Sequence, residues 1–91
     1  MSDRFVQIIV KGKVQGVSYR HYSRLQARAL GLKGWVCNRD DGDVCIFAGG
    51  RREAVDALIQ WCHRGSPQAL VREVLVTAIG AFEADDFEIR V

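Results

Sequence analysis

The sequence has little of the features that mark specialised protein classes. It holds one proline in 91 residues, and 48% of its residues are hydrophobic, which argues against collagen-like or disordered chains. Its apolar runs, such as residues 6–10 with the interruption at Gln7, fall well below the ~18 residues that a membrane-spanning helix needs. The N-terminus lacks the basic and apolar segments of a secretory signal. We therefore expect a single cytoplasmic domain over residues 1–91.

Cysteines are few and lack metal-binding spacing. The three, Cys37, Cys45 and Cys62, form no CxxC motif, which argues against a zinc site. Cys37 and Cys45 are expected on adjacent strands, where they could approach each other. In a reducing compartment we expect small buried apolar residues rather than a disulfide.

The net charge of +2 conceals an uneven distribution. Residues 1–39 contain eight basic residues and one acidic residue, whereas residues 40–91 contain five and ten. The basic half of the chain could therefore attract an anion.

The pattern of apolar residues predicts alternating strands and helices. Residues 5–10 carry apolar side chains on both faces, as a central strand would. Helices are expected at 18–30, ended by Gly31, and at 53–64, where apolar residues recur with helical spacing. Further strands are predicted at 35–37, 44–47, 71–79 and 87–91.

The order β-α-β-β-α-β, with a short final strand, predicts a ferredoxin-like α+β sandwich. In this fold two helices cover one face of an antiparallel sheet. The middle strands flank an Asp-Gly turn within residues 38–43, and Gly49-Gly50 is expected to end this hairpin. The buried helix faces are predicted to consist of Tyr19, Ser23, Ala27 and Leu30 on the first helix, and Val55, Leu58, Ile59 and Cys62 on the second.

Residues 12–20 form the segment best suited to a chemical function. A glycine-containing loop leaves the predicted central strand and enters a helix, whose first N–H groups lack intrahelical partners and lie at the positive end of the helix dipole. Gly16 permits backbone conformations that other residues avoid, and Arg20 offers a fork of donors suited to phosphate or carboxylate. From the residues alone, the segment is either an anion-binding cradle or an ordinary glycine loop before a surface helix.

Side chains for acid–base or nucleophilic catalysis are scarce elsewhere. His21 and His63 lie on predicted helices and are expected to be exposed, although His21 directly follows Arg20. The aspartates within residues 40–43 are better explained by turn formation than by a metal site. There is no Walker-type loop, HExxH motif or Ser-His-Asp set. We therefore expect neither a metal nor a cofactor.

Two segments resemble the signatures of a known family. The sequence VKGKVQGVSYR at residues 10–20 resembles the first acylphosphatase signature, V-x-G-x-V-Q-G-V-x-F/Y-R. The sequence LGLKGWVCN at residues 30–38, followed by Asp41-Gly42, resembles the second, L-G-L-x-G-W-V-x-N with a DG turn. The likeness extends over essentially the whole chain. It departs at Tyr19, where phenylalanine is commoner, and at Ser66, where proline is frequent.

This resemblance implies a metal-independent hydrolase that cleaves acyl phosphates to a carboxylate and inorganic phosphate. The implied catalytic residues are Arg20, which would bind the phosphate, and Asn38, which would orient the attacking water. The implied phosphate-binding residues are Gln15, Gly16, Val17, Ser18, Tyr19 and Arg20. The implied partner is a small-molecule acyl phosphate, and a monomer is the default for a domain of this length.

Other functions share this fold. A non-catalytic phosphate- or carbamoyl-phosphate-binding module, like the acylphosphatase-like domain of carbamoyl-transfer maturation proteins, would keep the cradle without turnover. Such domains begin much longer chains. RNA-recognition modules carry the motif K/R-G-F/Y-G/A-F-V-x-F/Y on the open sheet face, and no such segment occurs here, so no nucleic-acid partner is expected. A membrane partner is not expected either, because the apolar runs are too short for a membrane span. A regulatory ligand-binding dimer domain would leave Gly16, Arg20 and Asn38 unexplained.

Overall fold

The computed structural model describes residues 3–91; Met1 and Ser2, which belong to the N-terminal segment assessed for a secretory signal, lie outside them. The described chain forms the predicted order of elements with the short final strand. Their bounds are β1 (Asp3–Lys13), α1 (Tyr19–Ala29), β2 (Lys33–Asn38), β3 (Val44–Arg51), α2 (Arg52–Cys62), β4 (Leu70–Ala78) and β5 (Phe87–Ile89). Neither helix has the length and apolar character required to cross a bilayer.

The five strands form one sheet in the order β4-β1-β3-β2-β5, so β1 is an interior strand as predicted. The first four strands of the chain pair antiparallel, whereas β5 runs parallel to β2. The sheet is therefore mixed and not purely antiparallel as expected. The reason is that β4 and β5 lie at opposite edges of the sheet. Residues 79–86 connect them and reverse the direction of the chain once, so β5 runs parallel to its neighbour β2.

The core lies between the sheet and the two helices. Val6, Ile8 and Val10 of β1 are fully buried, and they belong to one apolar cluster with residues of both helices. The predicted helix faces are confirmed: the buried residues are Tyr19, Ser23 and Ala27 on α1 and Val55, Leu58 and Cys62 on α2, with Leu30 and Ile59 partly buried against the cluster. Both helices end one or two residues earlier than predicted, and Gly31 follows α1 with a left-handed φ of +73°.

The prediction that Gly49-Gly50 ends the hairpin is wrong, because β3 continues through both glycines to Arg51. Gly49 pairs with Phe5 of β1 and Lys33 of β2. A side chain at Gly49 would overlap the Phe5 ring. This glycine therefore makes room for an aromatic neighbour within the sheet instead of breaking the strand.

The open sheet face, opposite the helices, carries an aromatic cluster. Trp35 of β2 stacks on Phe47 of β3 with ring centroids 4.9 Å apart. Phe82, in the connection between β4 and β5, packs at 5.1 Å from Phe5 and 5.0 Å from Trp35, and the Arg90 guanidinium lies 4.0 Å from the Trp35 ring centroid. The chain's own side chains thus partly cover this face and join the C-terminal segment to the sheet.

The cysteines on this face are adjacent as predicted. Cys37 and Cys45 are direct cross-strand partners, and both are free thiols, as is Cys62. Cys45 and Cys62 are buried, whereas Cys37 is only half-buried. Burial raises the pKa of the Cys45 thiol and raises the pKa of Cys62 to about 12, so Cys62 remains a protonated, apolar packing group at neutral pH.

At Gly34, β2 lies tightly against β3. The φ of Gly34 is +141°, and a Cβ at this position would collide with the Phe47 carbonyl. We expect Gly34→Ala to lower the free energy of unfolding by about 2–4 kcal/mol, because it adds both a backbone clash and conformational strain. Urea denaturation followed by circular dichroism measures this change.

Gly80→Ala is the matched control, since an added Cβ there has nothing within 4 Å. Its unfolding free energy should stay within about 0.5 kcal/mol of the wild type. Equal stability of the two variants would show that β2 and β3 do not approach as closely as described.

Candidate active site

The cradle, defined as residues 15–20, connects β1 to α1. Gly16 and Ser18 have φ values of +74° and +61°, so both lie in the left-handed region. Glycine adopts this region freely and serine rarely. Ser18 is the N-cap of α1, yet its side chain makes no capping hydrogen bond. The first N–H groups of α1 therefore lack the side-chain acceptor that usually satisfies them.

Seven successive backbone N–H groups are available in this segment. Within the described chain, none of the N–H groups of residues 15–21 donates to a backbone carbonyl or to a side chain. The first hydrogen bond of the helix joins the Tyr22 N–H to the Ser18 carbonyl at 3.1 Å. Unpaired donors at the positive end of a helix dipole form a site that attracts anions. The geometry thus favours the anion-binding interpretation over an ordinary surface loop.

Arg20 and Asn38 line the same cleft of about 370 Å³. These two residues meet because β1 and β2 each pair antiparallel with β3. The two strands therefore run in the same direction, and their C-terminal ends lie at the same end of the sheet. The cradle follows β1 and Asn38 is the last residue of β2. The remaining lining residues are Val14, Gly16, Ser18, Tyr19, His21 and Ile89.

The charge of Arg20 is available to a ligand. The four ion pairs in the described chain engage Arg4, Lys11, Arg28 and Arg39 with aspartates, and none of them involves Arg20. A guanidinium at the first turn of a helix, without a carboxylate partner, adds a full positive charge to the cradle's N–H dipoles.

Asn38 carries an unsatisfied acceptor. Its Oδ1 atom is buried and receives no hydrogen bond from any residue in the range 3–91. A buried acceptor without a donor typically costs about 1–3 kcal/mol. Arg24 Nε and Ser66 Oγ are in the same condition among the described residues, so the missing partner does not by itself mark a functional group; the functional interest of Asn38 comes from its place in the cleft with Arg20. An asparagine amide can also donate, so this side chain can hold a water molecule in the cleft that it borders.

Two predicted phosphate-binding residues turn their side chains away from the cleft. The Gln15 amide nitrogen donates to the carbonyls of Arg39 and Asp43 at 2.8 and 2.9 Å. Val17 is 8% exposed and packs in the core cluster. These residues can reach an anion in the cleft only through their backbone N–H groups.

Tyr19 borders the cleft, but its hydroxyl is engaged elsewhere. The hydroxyl donates to the Cys62 carbonyl at 2.8 Å, and the ring centroid lies 5.4 Å from that of Trp61. Burial raises the pKa of this phenol well above its ordinary value of 10.0. Tyr19 is therefore a neutral anchor for α1 and is not an acid–base group at neutral pH.

His21, Val14 and Ile89 also line the cleft, although no role at a site was predicted for them. The signal for His21 was its position directly after Arg20, and its side chain is exposed as expected. Ile89 comes from β5, which reaches the site only because this strand pairs with β2. Val14 is a fixed position of the first signature, whereas no sequence motif marks Ile89 as a neighbour of an anion site.

The turn aspartates have structural partners. The Asp41 carboxylate accepts the Asp43 N–H at 3.0 Å, a bond that lowers the pKa of Asp41 below its ordinary value, with further lowering from nearby Arg39. The Asp43 carboxylate pairs with Lys11 at 2.6 Å. No cluster of three or more His, Cys, Asp or Glu side chains placed to hold a metal ion occurs between residues 3 and 91.

A larger cleft of about 550 Å³ lies at the opposite end of the sheet, around the start of β1 and β2 and the end of β3. Its charged lining mixes both signs, because Lys33 and Arg51 share it with Asp3, Glu83 and Asp85. The mixture makes it less suited to a phosphate than the cradle cleft, in which the charged residue is Arg20.

Comparisons with known proteins agree with this geometry. A family model described as Acylphosphatase matches residues 6–89. An acylphosphatase from Haloquadratum walsbyi is 48% identical over 83 residues, which cover 91% of this chain and 89% of that protein. The structure of an acylphosphatase from Coxiella burnetii superposes with a TM-score of 0.94 at 39% identity, covering 97% of this chain and 93% of that one.

A segment of full-length HypF, solved in a phosphate- and nucleotide-bound form, is also similar. It superposes with a TM-score of 0.88 at 26% identity and covers 99% of this chain but 12% of HypF. The likeness to separate acylphosphatases is closer and runs along nearly their whole length. The chain belongs to the acylphosphatase family.

Proposed function

We propose that the protein hydrolyses acyl phosphates, splitting the carboxyl–phosphate anhydride into a carboxylate and inorganic phosphate. The observation that carries the proposal is one cleft that combines backbone N–H groups without acceptors, an arginine without a carboxylate partner and the side chain of Asn38, all judged within the described residues. Phosphoryl transfer spreads charge over the peripheral oxygens, so positioning and electrostatic stabilisation supply most of the catalysis.

In the first step the cradle binds the phosphate group. The N–H groups of the cradle and of the first turn of α1 donate to peripheral oxygens, and Arg20 donates a further pair of hydrogen bonds. Because these donors are held by the fold before the substrate arrives, little reorganisation accompanies binding.

In the second step Asn38 places a water molecule for attack on phosphorus from the side opposite the leaving carboxylate. The Asn38 amide, which borders the cleft, hydrogen-bonds this water and fixes its orientation. A phosphate oxygen of the substrate takes the proton as the new P–O bond forms. The P–O bond to the acyl group breaks, and its electron pair leaves with the carboxylate.

The leaving group explains why no protein acid is required. A carboxylate is stable at neutral pH, so it departs without protonation. This agrees with a cleft whose one phenol, Tyr19, is held neutral and bonded to the Cys62 carbonyl. All the charge complement that the reaction needs comes from Arg20 and the backbone dipoles.

A binding module without turnover is the second candidate, and the likeness to a segment of phosphate-bound HypF favours it. Such a module would need the cradle and Arg20, but it would gain nothing from an Asn38 acceptor left unsatisfied in the fold. The two candidates therefore separate at Asn38: hydrolysis depends on it and phosphate binding does not.

The proposal includes a monomer that acts in the cytoplasm on a small molecule. Three free cysteines without a metal-binding spacing fit a reducing compartment. The aromatic residues of the open sheet face are partly covered by Phe82 and Arg90, which leaves a poor stacking platform for nucleic-acid bases.

Substitution of the two central residues tests the mechanism. With benzoyl phosphate as substrate and excess EDTA present, we expect rapid turnover by the wild type. Arg20→Ala should abolish both turnover and phosphate binding, whereas Asn38→Ala should lose ~100-fold or more in kcat, by analogy with single catalytic amides, and still bind phosphate.

His21→Ala is the control, because His21 lines the same cleft but has no role in the mechanism. Its kcat should stay close to that of the wild type. Full activity of Asn38→Ala would refute the water-orienting role. Absence of turnover by folded wild type, with phosphate still bound, would establish the binding module instead.

Gly16 tests the cradle separately. A Cβ at this residue meets nothing within 4 Å, so a substitution acts through the backbone conformation at φ +74° and not through a clash. We expect Gly16→Val to weaken phosphate binding, measured as competitive inhibition, because a β-branched residue disfavours this conformation. Gly16→Asn should bind more tightly than Gly16→Val, since asparagine tolerates the left-handed region. Unchanged phosphate affinity in Gly16→Val would contradict the loop assignment.

A further inference from the structure

We propose that the Gln15 side chain is a positioning residue: it bonds the loop after Asn38 and thereby sets that asparagine against the phosphate cradle. The proposal rests on the proposed function, because it concerns how the same site is assembled. In this proposal the Gln15 carboxamide holds the loop after Asn38 in place, and only the backbone N–H of Gln15 contacts the phosphate.

The cradle and Asn38 belong to different parts of the chain, so something must fix their relative placement. The Oδ1 atom of Asn38 receives no hydrogen bond from the described residues. On its β3 side, Asn38 is held by pairing with Val44. On its cradle side, the backbone of the following residue, Arg39, accepts the Gln15 hydrogen bond at 2.8 Å.

One amide nitrogen spans the loop between β2 and β3. Gln15 Nε2 donates to the Arg39 carbonyl and, at 2.9 Å, to the Asp43 carbonyl. These are the two residues that close the loop, since the Arg39 N–H donates to the Asp43 carbonyl at 2.8 Å. Gln15 therefore bonds both sides of the loop mouth directly after Asn38.

A second contact holds the same loop to β1. The Asp43 carboxylate, whose side chain is 10% exposed, pairs with Lys11 at 2.6 Å. Lys11 and Gln15 lie on either side of the point where β1 gives way to the cradle. The loop is thus joined to the cradle side of the molecule at Arg39 and at Asp43.

The chemistry requires a donor at Gln15. Both partners are carbonyl oxygens, which only accept, and the amide NH₂ group offers two N–H bonds from one atom. Methionine has a similar length but no donor. Each carbonyl keeps a backbone partner without Gln15, because Gly42 donates to Arg39 and Arg39 donates to Asp43. The loop should therefore remain folded in Gln15→Met while losing its tie to the cradle.

The expected consequence is a loss in the chemical step. A misplacement of about 1 Å in a reacting group can lower the rate by ~100-fold. Because Gln15 acts through Asn38, and other contacts still hold the loop, we expect Gln15→Met to lower kcat by ~10-fold. The inhibition constant of inorganic phosphate should change less than twofold, since the cradle's backbone N–H groups and Arg20 are untouched.

The decisive experiment measures kcat with benzoyl phosphate and the inhibition constant of phosphate for the wild type, Gln15→Met, Asn38→Ala and the double variant. If Gln15 acts through Asn38, Gln15→Met should lower kcat in the wild-type background and have less than a twofold effect in Asn38→Ala. An equal loss in both backgrounds, or a phosphate constant that rises as kcat falls, would overturn the proposal and make Gln15 a support of the cradle. If the residual activity of Asn38→Ala is too low to measure, the Gln15→Met variant alone decides: a lower kcat with an unchanged inhibition constant of phosphate supports the proposal, and a change in both overturns it.

Gln7→Met is the matched control, because it makes the same substitution on β1. The Gln7 amide makes only a weak contact with Cys45 Sγ at 3.7 Å, and its kcat should equal that of the wild type. Thermal unfolding of each variant verifies that assays are run on folded protein. A wild type without turnover would refute the proposed function itself, whereas an active wild type matched by Gln15→Met would refute only the role of Gln15.

Discussion

The anchoring of Tyr19 in the core is the interaction on which the site depends. Its hydroxyl donates to the Cys62 carbonyl at the end of α2, and its ring packs near Trp61. Gly65 leaves room for this ring, since a Cβ there would overlap it. The first residue of α1 is thereby fixed, and the chain must reach it from β1 through a short loop. Two left-handed residues, Gly16 and Ser18, shape that loop, and a row of N–H groups is left without partners.

A row of N–H groups without protein acceptors is tolerable where solvent or a ligand can accept from them, and it stays open to a ligand only while no carboxylate of the protein occupies it. The acidic second half of the sequence could have supplied competing acceptors, because it contains ten carboxylates. In the fold, several of these are engaged elsewhere: Asp43 with Lys11, Asp86 with Arg28, and Asp41 with the Asp43 N–H. Part of the charge asymmetry of the sequence is thus neutralised in local ion pairs, and none of the four pairs in the described chain involves Arg20.

The sequence predicted what depends on local pattern. The helix faces follow from residue spacing, and the central strand follows from apolar residues on both of its faces. The cradle could be predicted because a glycine loop before a helix leaves N–H groups that can bind an anion in any fold. Its pairing with Asn38 came from the second signature, whose asparagine the parallel directions of β1 and β2 then bring to the same end of the sheet.

What could not be predicted depends on contacts between distant segments. The parallel pairing of β5, and with it the place of Ile89 in the cleft, follows from the path of residues 79–86 across the open face. Gly49 looked like a strand end because its reason for being glycine, the Phe5 ring, lies on another strand. Gln15 was predicted to bind phosphate because it lies in the cradle, and the sequence could not show that its side chain donates to carbonyls in the loop after β2 while its backbone N–H remains without an acceptor among the described residues.

The cleft contains both the phosphate cradle and Asn38, and the presence of Asn38 beside the cradle bears on what the protein does. Binding phosphate requires only the cradle, the anchor at Tyr19 and the charge of Arg20. None of these needs a buried acceptor on Asn38, whose unsatisfied oxygen costs stability in the free protein. Nor would a binding site need the following loop to be tied to the cradle through both Arg39 and Asp43. An asparagine amide held in the same cleft as a preorganised anion site is useful when a nucleophile must be placed in line with a leaving group, which is why we favour hydrolysis over simple binding.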